Sequence, residues 1–428
     1  MILRRAVLFA LVLAPLLLLA IAVGGVLFLR QGGLAPYRVP EGPGTPVAAT
    51  PERLAEGEYL ARLGNCHTCH TTRGGVPFAG GRGFASQWGT VYSTNLTPDP
   101  ATGLGGWSVE EFRHAMRHGV SRRGVLYPAF PYAHFARLSD ADLDALYAYL
   151  QHLPPVRREA TPNRLDFPAS WRPALVAWRM LTYRPVVPPA PAGRSPQWQR
   201  GRYLVDGLGH CAMCHSTHGA LGALPRASWL GGGEIPAIGW YAPPLDGHAL
   251  ARFPTHDLAH WLRAGTSPQA TAYGPMAEVV YGSLRYLRPD DALAIATYLK
   301  SLPEHPDRAR EARPAPAAPP PGSAAQLYER HCADCHGKDG HGSEVYPPLV
   351  DSVAVTAPQP LNAVRMILYG GVAPTTALNP RPYSMPPFVQ QLDSADIAKI
   401  ANYIRGWGGH PSRLTAKDID AMHGIVID

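Results

Sequence analysis

The pattern of apolar positions predicts a mainly helical chain that starts with a membrane-spanning segment. Residues 6–29 carry no charged side chain, and about 20 such residues are enough to cross a bilayer core as a helix. Arg4 and Arg5 precede this run and only Arg30 follows it closely. Because positive residues favour the cytoplasmic side, we predict an uncleaved anchor over residues 1–30, with the rest of the chain in the bacterial periplasm. A cleaved signal peptide is the alternative, although its apolar region is usually only about 7–15 residues long.

Three helical patterns then recur in the same order, three times along the chain. Each set has a short helix with an aromatic residue, an amphipathic helix that ends at a glycine, and a helix with acidic residues near its start. This periodicity predicts an all-α fold built from three internal repeats. The first helices lie in residues 56–65, 200–210 and 324–331, the middle ones in 107–119, 253–265 and 360–370, and the last ones in 138–154, 287–303 and 392–408.

Proline-rich stretches separate the repeats and mark the predicted domain boundaries. A chain of 428 residues corresponds to about three domains of ordinary size. The stretch 171–182 inside the first linker is apolar enough to form a helix that either lies on a membrane or partner surface, or packs against the first domain. We predict a tether at 31–51, domains at 52–154, 197–303 and 323–410 (repeats 1, 2 and 3 below), linkers at 155–196 and 304–322, and a tail at 411–428.

Composition and charge narrow the functional classes. The chain contains 46 prolines and 43 glycines, so much of it is predicted to be loop. The formal charge is +7, but no long run of basic residues is present. Nucleic-acid binding therefore has little support.

The six cysteines form three copies of the pattern C-x-x-C-H, with none left over. Two thiols on one helical turn can attach to the two vinyl groups of one porphyrin, and the adjacent histidine can bind the iron. Disulfides, a thioredoxin-like pair and a zinc site are the alternatives for a single copy, but three complete copies favour three covalently bound haems c. The attachment residues are Cys66 and Cys69, Cys211 and Cys214, and Cys332 and Cys335, and the predicted axial ligands are His70, His215 and His336.

Two methionines occupy matching places after the second and third motifs. Met276 and Met385 each stand next to a proline in a predicted loop before the last helix of their repeat. A thioether opposite the histidine raises the potential of a haem that carries electrons. We predict that both are sixth ligands, with packing in the core as the alternative. Met116 and Met366 lie inside the middle helices and are predicted to be core residues.

Repeat 1 has phenylalanine where that methionine is expected. Phe130 cannot bind iron, but His134 follows four residues later in the stretch PAFPYAHF. We predict His134 as the sixth ligand of the first haem, with His114 and His118 as rivals and a five-coordinate haem as the alternative. Two imidazole ligands would give this haem a lower potential than a histidine–methionine haem.

The chain resembles the membrane-bound tri-haem cytochrome c subunits of bacterial periplasmic dehydrogenases. The resemblance rests on the three motifs in order, on YSTNLTPDPATGLGGWSVEEF at 92–112 and on LYPAFPY at 126–132, and it extends over residues 52–409. It implies three tandem cytochrome c-like domains after an N-terminal transmembrane helix. Subunits of quinoprotein alcohol dehydrogenases and of flavoprotein sugar dehydrogenases typically read PAMPY, whereas subunits of molybdenum hydroxylases more often resemble PAFPYxHF.

The resemblance therefore implies an electron-transfer subunit without a substrate-oxidising site of its own. Its expected partners are a periplasmic molybdenum hydroxylase, with a small iron-sulfur subunit as a further candidate, and ubiquinone or a terminal oxidase as acceptor. No Rossmann glycine motif or P-loop is present in the sequence. The alternatives are a cytochrome subunit of a quinoprotein or flavoprotein alcohol or sugar dehydrogenase, and a haem enzyme or sensor that uses an open iron in repeat 1.

Overall fold

The computed structural model describes residues 13–25, 44–183, 191–304, 323–343, 345–350, 352–407 and 411–423. Residues 13–25 are helical and form α1. The remainder of the predicted anchor, and the predicted tether up to residue 43, lie outside the described residues. Within the described ranges, no helix combines the length and the apolar character needed to cross a bilayer.

The helices are the main elements, and each repeat contains the three that the sequence predicts. Between the helices of repeat 2 lie a π-helical turn at Leu204–Leu208 and short 3-10 turns at Cys211–Met213, Arg226–Ser228 and Leu284–Tyr286. The helices are α2 Pro51–Leu63, α3 Cys66–Cys69, α4 Val109–His118, α5 Tyr132–Phe135, α6 Asp140–Gln151, α7 Arg172–Thr182, α8 Pro196–Tyr203, α9 Thr255–Ala264, α10 Pro275–Gly282, α11 Pro289–Lys300, α12 Ser323–His331, α13 Ala333–His336, α14 Val353–Thr356, α15 Leu361–Tyr369, α16 Ser394–Trp407 and α17 Ala416–Met422.

Capping residues explain where several helices begin and end. The side chains of Ser108 and Ser139 accept hydrogen bonds from backbone N–H groups in the first turns of α4 and α6. Helix α4 ends at Gly119, which has a left-handed backbone with φ of 62°. A residue without a Cβ adopts this conformation without strain, so the glycine stops the helix and turns the chain.

Small antiparallel hairpins connect the helices. After each middle helix, two antiparallel strands of two residues each lead the chain to the segment around position 130, 276 or 385. The hairpins therefore bring the predicted sixth-ligand segments back against the helical core. The strands are β1 Gly83–Ser86, β2 Gly89–Tyr92, β3 Val120–Ser121, β4 Gly124–Val125, β5 Arg164–Leu165, β6 Gly233–Ile235, β7 Trp240–Ala242, β8 Thr266–Ser267, β9 Ala270–Thr271, β10 Gly371–Val372 and β11 Ser384–Met385, in the sheets β1–β2–β5, β3–β4, β6–β7, β8–β9 and β10–β11.

In repeats 1 and 2, the first and last helices cross at a glycine. A Cβ on Gly57 of α2 would lie 2.0 Å from the carbonyl oxygen of Ala145 in α6. A Cβ on Gly201 of α8 would lie 1.9 Å from the carbonyl oxygen of Ala294 in α11. Both helix pairs therefore pack backbone against backbone, at a separation that only glycine allows.

Repeats 1 and 2 share one hydrophobic core and exchange equivalent contacts. The hydroxyl of Tyr59 in repeat 1 donates to Asp291 of repeat 2 at 2.5 Å, and the hydroxyl of Tyr203 in repeat 2 donates to Asp142 of repeat 1. Each tyrosine comes from the first helix of its repeat, and each carboxylate from the first turn of the other repeat's last helix. The same tyrosine–aspartate contact thus occurs twice, once in each direction between the two repeats.

Repeat 3 has a separate core that includes α17. It meets repeat 2 through hydrogen bonds and through close approaches such as that of Pro374 to Gly265. The side-chain amide of Asn362 in α15 donates to the backbone oxygen of Tyr241 at 2.8 Å and accepts from its N–H at 2.9 Å. Thr376 donates to the carbonyl of Ala264 at 3.3 Å. These bonds fix the third repeat against strand β7 and helix α9.

Helix α7 in the first linker packs against repeat 1 along one side. Leu175 and Val176 are buried with the β3–β4 hairpin, while Trp171 and Leu181 are 57% and 66% exposed. The helix thus has a buried side and an apolar exposed side.

Candidate cofactor sites

Each C-x-x-C-H motif folds into the same tight turn. The backbone N–H of the motif histidine donates to the carbonyl of the first cysteine, at 2.9 Å for His70, 3.0 Å for His215 and 2.9 Å for His336. In a helical turn, side chains three positions apart lie on one face. The two thiols of each motif therefore project from one side of a rigid turn, with the imidazole directly after them.

The three motif histidines are oriented in the same way by backbone carbonyls. The Nδ1 atom of His70 lies 2.7 Å from the oxygen of Thr94, that of His215 lies 2.6 Å from the oxygen of Pro243, and that of His336 lies 2.9 Å from the oxygen of Pro347. A carbonyl accepts, so Nδ1 carries the proton and the lone pair of each ring is on Nε2. This is the tautomer that a metal-binding histidine uses.

Burial favours the uncharged form of the three motif imidazoles and of five motif thiols. It lowers the pKa of all three motif imidazoles. It raises the thiol pKa of Cys66, Cys211 and Cys332 to about 12, and that of Cys69 and Cys214 to about 11. None of the six cysteines, which all lie within the described ranges, forms a disulfide. Within the described ranges, no group of three or more His, Cys, Asp and Glu side chains is arranged to hold a metal ion.

A large cavity connects the first two motifs. It has a volume of about 2550 Å³ and is lined by Cys69 and Cys214, by residues of repeats 1 and 2, and by Pro358 and Gln359 of repeat 3. Pockets for one drug-sized ligand usually have volumes of about 300–1,000 Å³. The cavity is therefore larger than such a pocket, and it reaches one cysteine of each of the first two motifs but none of the three motif histidines.

The free Nε2 atoms and the paired thiols fit covalently attached haem. Each motif supplies two sulfurs and one neutral imidazole, which is one axial ligand per iron rather than a complete metal site. The residues that would hold the groups are the nine cysteines and histidines of the three motifs.

The two methionines predicted as sixth ligands lie at the edges of their repeats' cores. Met276 is in the first turn of α10, directly after Gly274 and Pro275, and packs against the shared core. Met385 pairs with Gly371 in the β10–β11 hairpin and packs against the core of repeat 3. Their roles as iron ligands stay predictions. Met116 and Met366 are buried, as the sequence predicts.

His134 is buried at the contact between repeats 1 and 2. Its Nδ1 lies 3.0 Å from the carbonyl oxygen of Asp206, and its ring stacks on Trp229 with centroids 5.2 Å apart. Burial lowers the pKa of His134 to about 3, so the imidazole is neutral. Its Nε2 thus has a lone pair, as the motif histidines do, and its role as sixth ligand stays a prediction. Phe130 packs against Phe135, the residue after His134.

The rival ligands His114 and His118 lie together in α4. Their ring centroids are 4.7 Å apart, and burial is the main cause that lowers the pKa of each. They are one turn apart on the same face of the helix.

Sequence reasoning missed the carbonyls that orient the motif histidines. A signal was available, because each acceptor stands two residues before a leucine, namely Leu96, Leu245 and Leu349. The backbone N–H of each leucine is itself hydrogen bonded, which fixes the loop. It also missed Asp206, a buried carboxylate that accepts from Trp229 and Tyr298 at 3.2 Å.

Family models match two of the repeats. A model described as cytochrome c matches residues 323–407, and one described as cytochrome c oxidase, cbb3-type, subunit III matches residues 52–150. These matches confirm cytochrome c domains, which imply covalently bound haem c. The arrangement as three tandem domains, and the count of three haems, stay predictions.

Similar proteins extend over almost the whole chain. The chain is 38% identical to the cytochrome c subunit of a quinone alcohol dehydrogenase from Gluconacetobacter polyoxogenes, over 89% of this chain and 86% of that protein. It is 38% identical to the gluconate 2-dehydrogenase cytochrome c subunit of Pantoea cypripedii, over 86% and 89%. It is 39% identical to one of the subunits of the nicotinate dehydrogenase from Pseudomonas putida, over 90% of this chain but only 33% of that longer protein.

Proposed function

Because this chain belongs to the family of cytochrome c subunits of dehydrogenases, we propose that it carries electrons from a catalytic subunit through three haems c. The observation that carries the proposal is the threefold geometry of the motifs. In each one, two thiols precede an imidazole whose Nδ1 is held by a backbone carbonyl. Three equivalent arrangements support three haems rather than two.

The chain's own residues do three things for such cofactors. The motif cysteines attach them, and the hydrogen bonds to the Thr94, Pro243 and Pro347 carbonyls orient the imidazoles and increase the donor strength of Nε2. The buried apolar side chains around the motifs exclude water. When bound, haem supplies one-electron redox chemistry.

A molybdenum hydroxylase is the partner that the sequence of repeat 1 favours. Support comes from Phe130 and His134 in PAFPYAHF, which depart from the PAMPY pattern. One relative also belongs to a nicotinate dehydrogenase, the kind of enzyme to which that resemblance points. A small iron-sulfur subunit would complete the complex. A quinoprotein or flavoprotein alcohol or sugar dehydrogenase is the second candidate, supported by the relatives at 38% identity.

The acceptor in this proposal is ubiquinone or a terminal oxidase at the bacterial inner membrane. Its support is the uncharged run 6–29, which follows Arg4 and Arg5. The run would keep the N-terminus in the cytoplasm and the haem-bearing repeats in the periplasm.

Purification of the native complex from membranes tests the proposal. We expect three haems per chain by pyridine haemochrome analysis, a co-purifying large subunit, and molybdenum in metal analysis of the complex. Two haems per chain would contradict the count. A co-purifying quinoprotein or flavoprotein without molybdenum would contradict the favoured partner but leave the electron-transfer role in place. A high-spin, five-coordinate haem with peroxidase or ligand-sensing behaviour would instead favour a haem enzyme or sensor.

A further inference from the structure

Trp240 lies at the edge of the candidate site in repeat 2. Strand β7 starts at Trp240 and ends one residue before Pro243, whose carbonyl orients His215. The indole ring also lies against Gly274, where a Cβ would be 2.7 Å from the ring. Met276 follows Gly274 by two residues. Trp240 therefore lies between Pro243, which orients His215, and the segment that carries the predicted ligand Met276.

The indole nitrogen of Trp240 is a buried donor without a partner. Among the described residues, no acceptor lies within hydrogen-bonding distance of Nε1. A buried N–H without an acceptor costs about 1–3 kcal/mol, so proteins rarely leave one. An acceptor that belongs to a bound cofactor would explain it.

Arg365 brings a positive charge to the same place from another repeat. It belongs to helix α15 of repeat 3, is only 2% exposed, and has its guanidinium carbon 5.5 Å from the centroid of the Trp240 ring. Burial lowers the pKa of Arg365, but a guanidinium stays charged in proteins. The guanidinium therefore places a positive charge beside the Trp240 ring.

Asn362 fixes the position of Arg365 relative to β7. It lies one helical turn before Arg365, and its amide makes two hydrogen bonds to the backbone of Tyr241, the neighbour of Trp240. A bidentate contact of this kind sets both the distance and the rotation of α15 against the strand. The cation therefore has a fixed place beside the second site.

We propose that Arg365 and the Trp240 indole N–H bind a propionate of the haem held by repeat 2, so that repeat 3 completes the cofactor site of its neighbour. The chemistry fits, since haem carries two carboxylates at one edge and a guanidinium with an indole N–H can hold a carboxylate by charge-assisted hydrogen bonds. The inference rests on the proposed haem in repeat 2. A cation at this place stabilises the reduced haem, because reduction removes one positive charge from iron.

Potentiometric titration of the full-length, haem-loaded protein tests the proposal. R365Q should lower the reduction equilibrium constant of one haem by roughly tenfold, the order expected when a unit charge near the haem is removed. R365K, which keeps the charge, and R381Q, which removes an exposed arginine of the same repeat, should leave all potentials unchanged. W240F should weaken the propionate bands in resonance Raman spectra without loss of haem.

A second substitution, combined with R365Q, identifies which haem is affected. Met276→His should lower the reduction potential of the haem attached to Cys211 and Cys214. In the double variant, R365Q should lower the potential of that same haem further. Unchanged reduction potentials in R365Q would overturn the proposal. So would an R365Q shift in the potential of a haem that Met276→His does not affect. Haem content separates this failure from that of the proposed function. Three haems per chain with no R365Q shift contradict only the propionate contact, whereas fewer than three contradict the haem count itself.

Discussion

The helix crossing at Gly57 gives the sharpest test of the packing. Replacement of Gly57 by alanine places a methyl group 2.0 Å from the carbonyl oxygen of Ala145 and 2.6 Å from the Cβ of Tyr149. Real Cβ contacts do not fall below 3.0 Å, so α2 and α6 must separate by about 1 Å. The obstacle is mainly backbone, which cannot rotate away as a flexible side chain would.

The magnitude follows from two opposing effects. Overpacking in a core costs about 1–3 kcal/mol, whereas alanine is favoured over glycine inside a helix by about 1 kcal/mol. The separation also loosens contacts of Leu60, Leu143 and Leu146, which are buried between the helices. We therefore expect Gly57→Ala to lower the free energy of unfolding by about 2 kcal/mol, and Gly201→Ala to do the same because its Cβ would lie 1.9 Å from the carbonyl of Ala294.

Urea denaturation of the haem-loaded protein, followed by far-UV circular dichroism, measures this effect. Gly106→Ala is the matched control, since its Cβ would have no neighbour closer than 3.6 Å. The control should be as stable as the wild type, while both crossing variants should unfold at lower urea. Equal midpoints for Gly57→Ala and Gly106→Ala would refute the close helix crossing.

Three further predictions concern the contact between repeats 1 and 2. Asp291→Asn should lower the free energy of unfolding by about 2 kcal/mol relative to Asp290→Asn in the same turn. Burial raises the pKa of Asp291, but hydrogen bonds from Arg200 and Tyr59 outweigh burial and lower that pKa below 3.8. The difference between the two variants should therefore be full at neutral pH and disappear in acid unfolding well below pH 4. Near-infrared magnetic circular dichroism should show one bis-histidine and two histidine–methionine haems, and His134→Ala should convert only the first to high spin; an unchanged spectrum would contradict the ligand assignment. Ser283→Ala, which removes a buried 2.9 Å hydrogen bond to the last residue of α2, should cost about 1 kcal/mol in thermal unfolding, and full wild-type stability would contradict a role for this bond.

Local sequence signals predicted the helices and motifs. The helix ending at Gly119 and the helix beginning after Ser139 are set by capping residues and by apolar spacing, which act within a few positions. The motif histidines follow from the C-x-x-C-H pattern itself. Such features depend on neighbours in the chain, so a single sequence contains them.

Contacts between repeats could not be predicted from the sequence. Tyr59 and Asp291 are 232 positions apart, and neither residue type identifies its partner. The same holds for Asn362 and Tyr241, where a side-chain amide binds a strand backbone. His134 shows both cases, since its place after Phe130 predicts an iron ligand, but its Nδ1 hydrogen bond to the Asp206 carbonyl of repeat 2 could not be predicted.

The two kinds of contact between repeats have different physical consequences. Repeats 1 and 2 bury apolar side chains in one core and exchange the Tyr59–Asp291 and Tyr203–Asp142 hydrogen bonds, so neither can unfold without exposing the other's core. Repeat 3 has its own core and meets repeat 2 through bonds such as those of Asn362. The shared core of repeats 1 and 2 fixes the distance between their two motifs. The position of the third motif depends on the contacts of repeat 3 with β7 and α9. If Arg365 holds a cofactor carboxylate there, binding of haem to repeat 2 also strengthens the attachment of repeat 3.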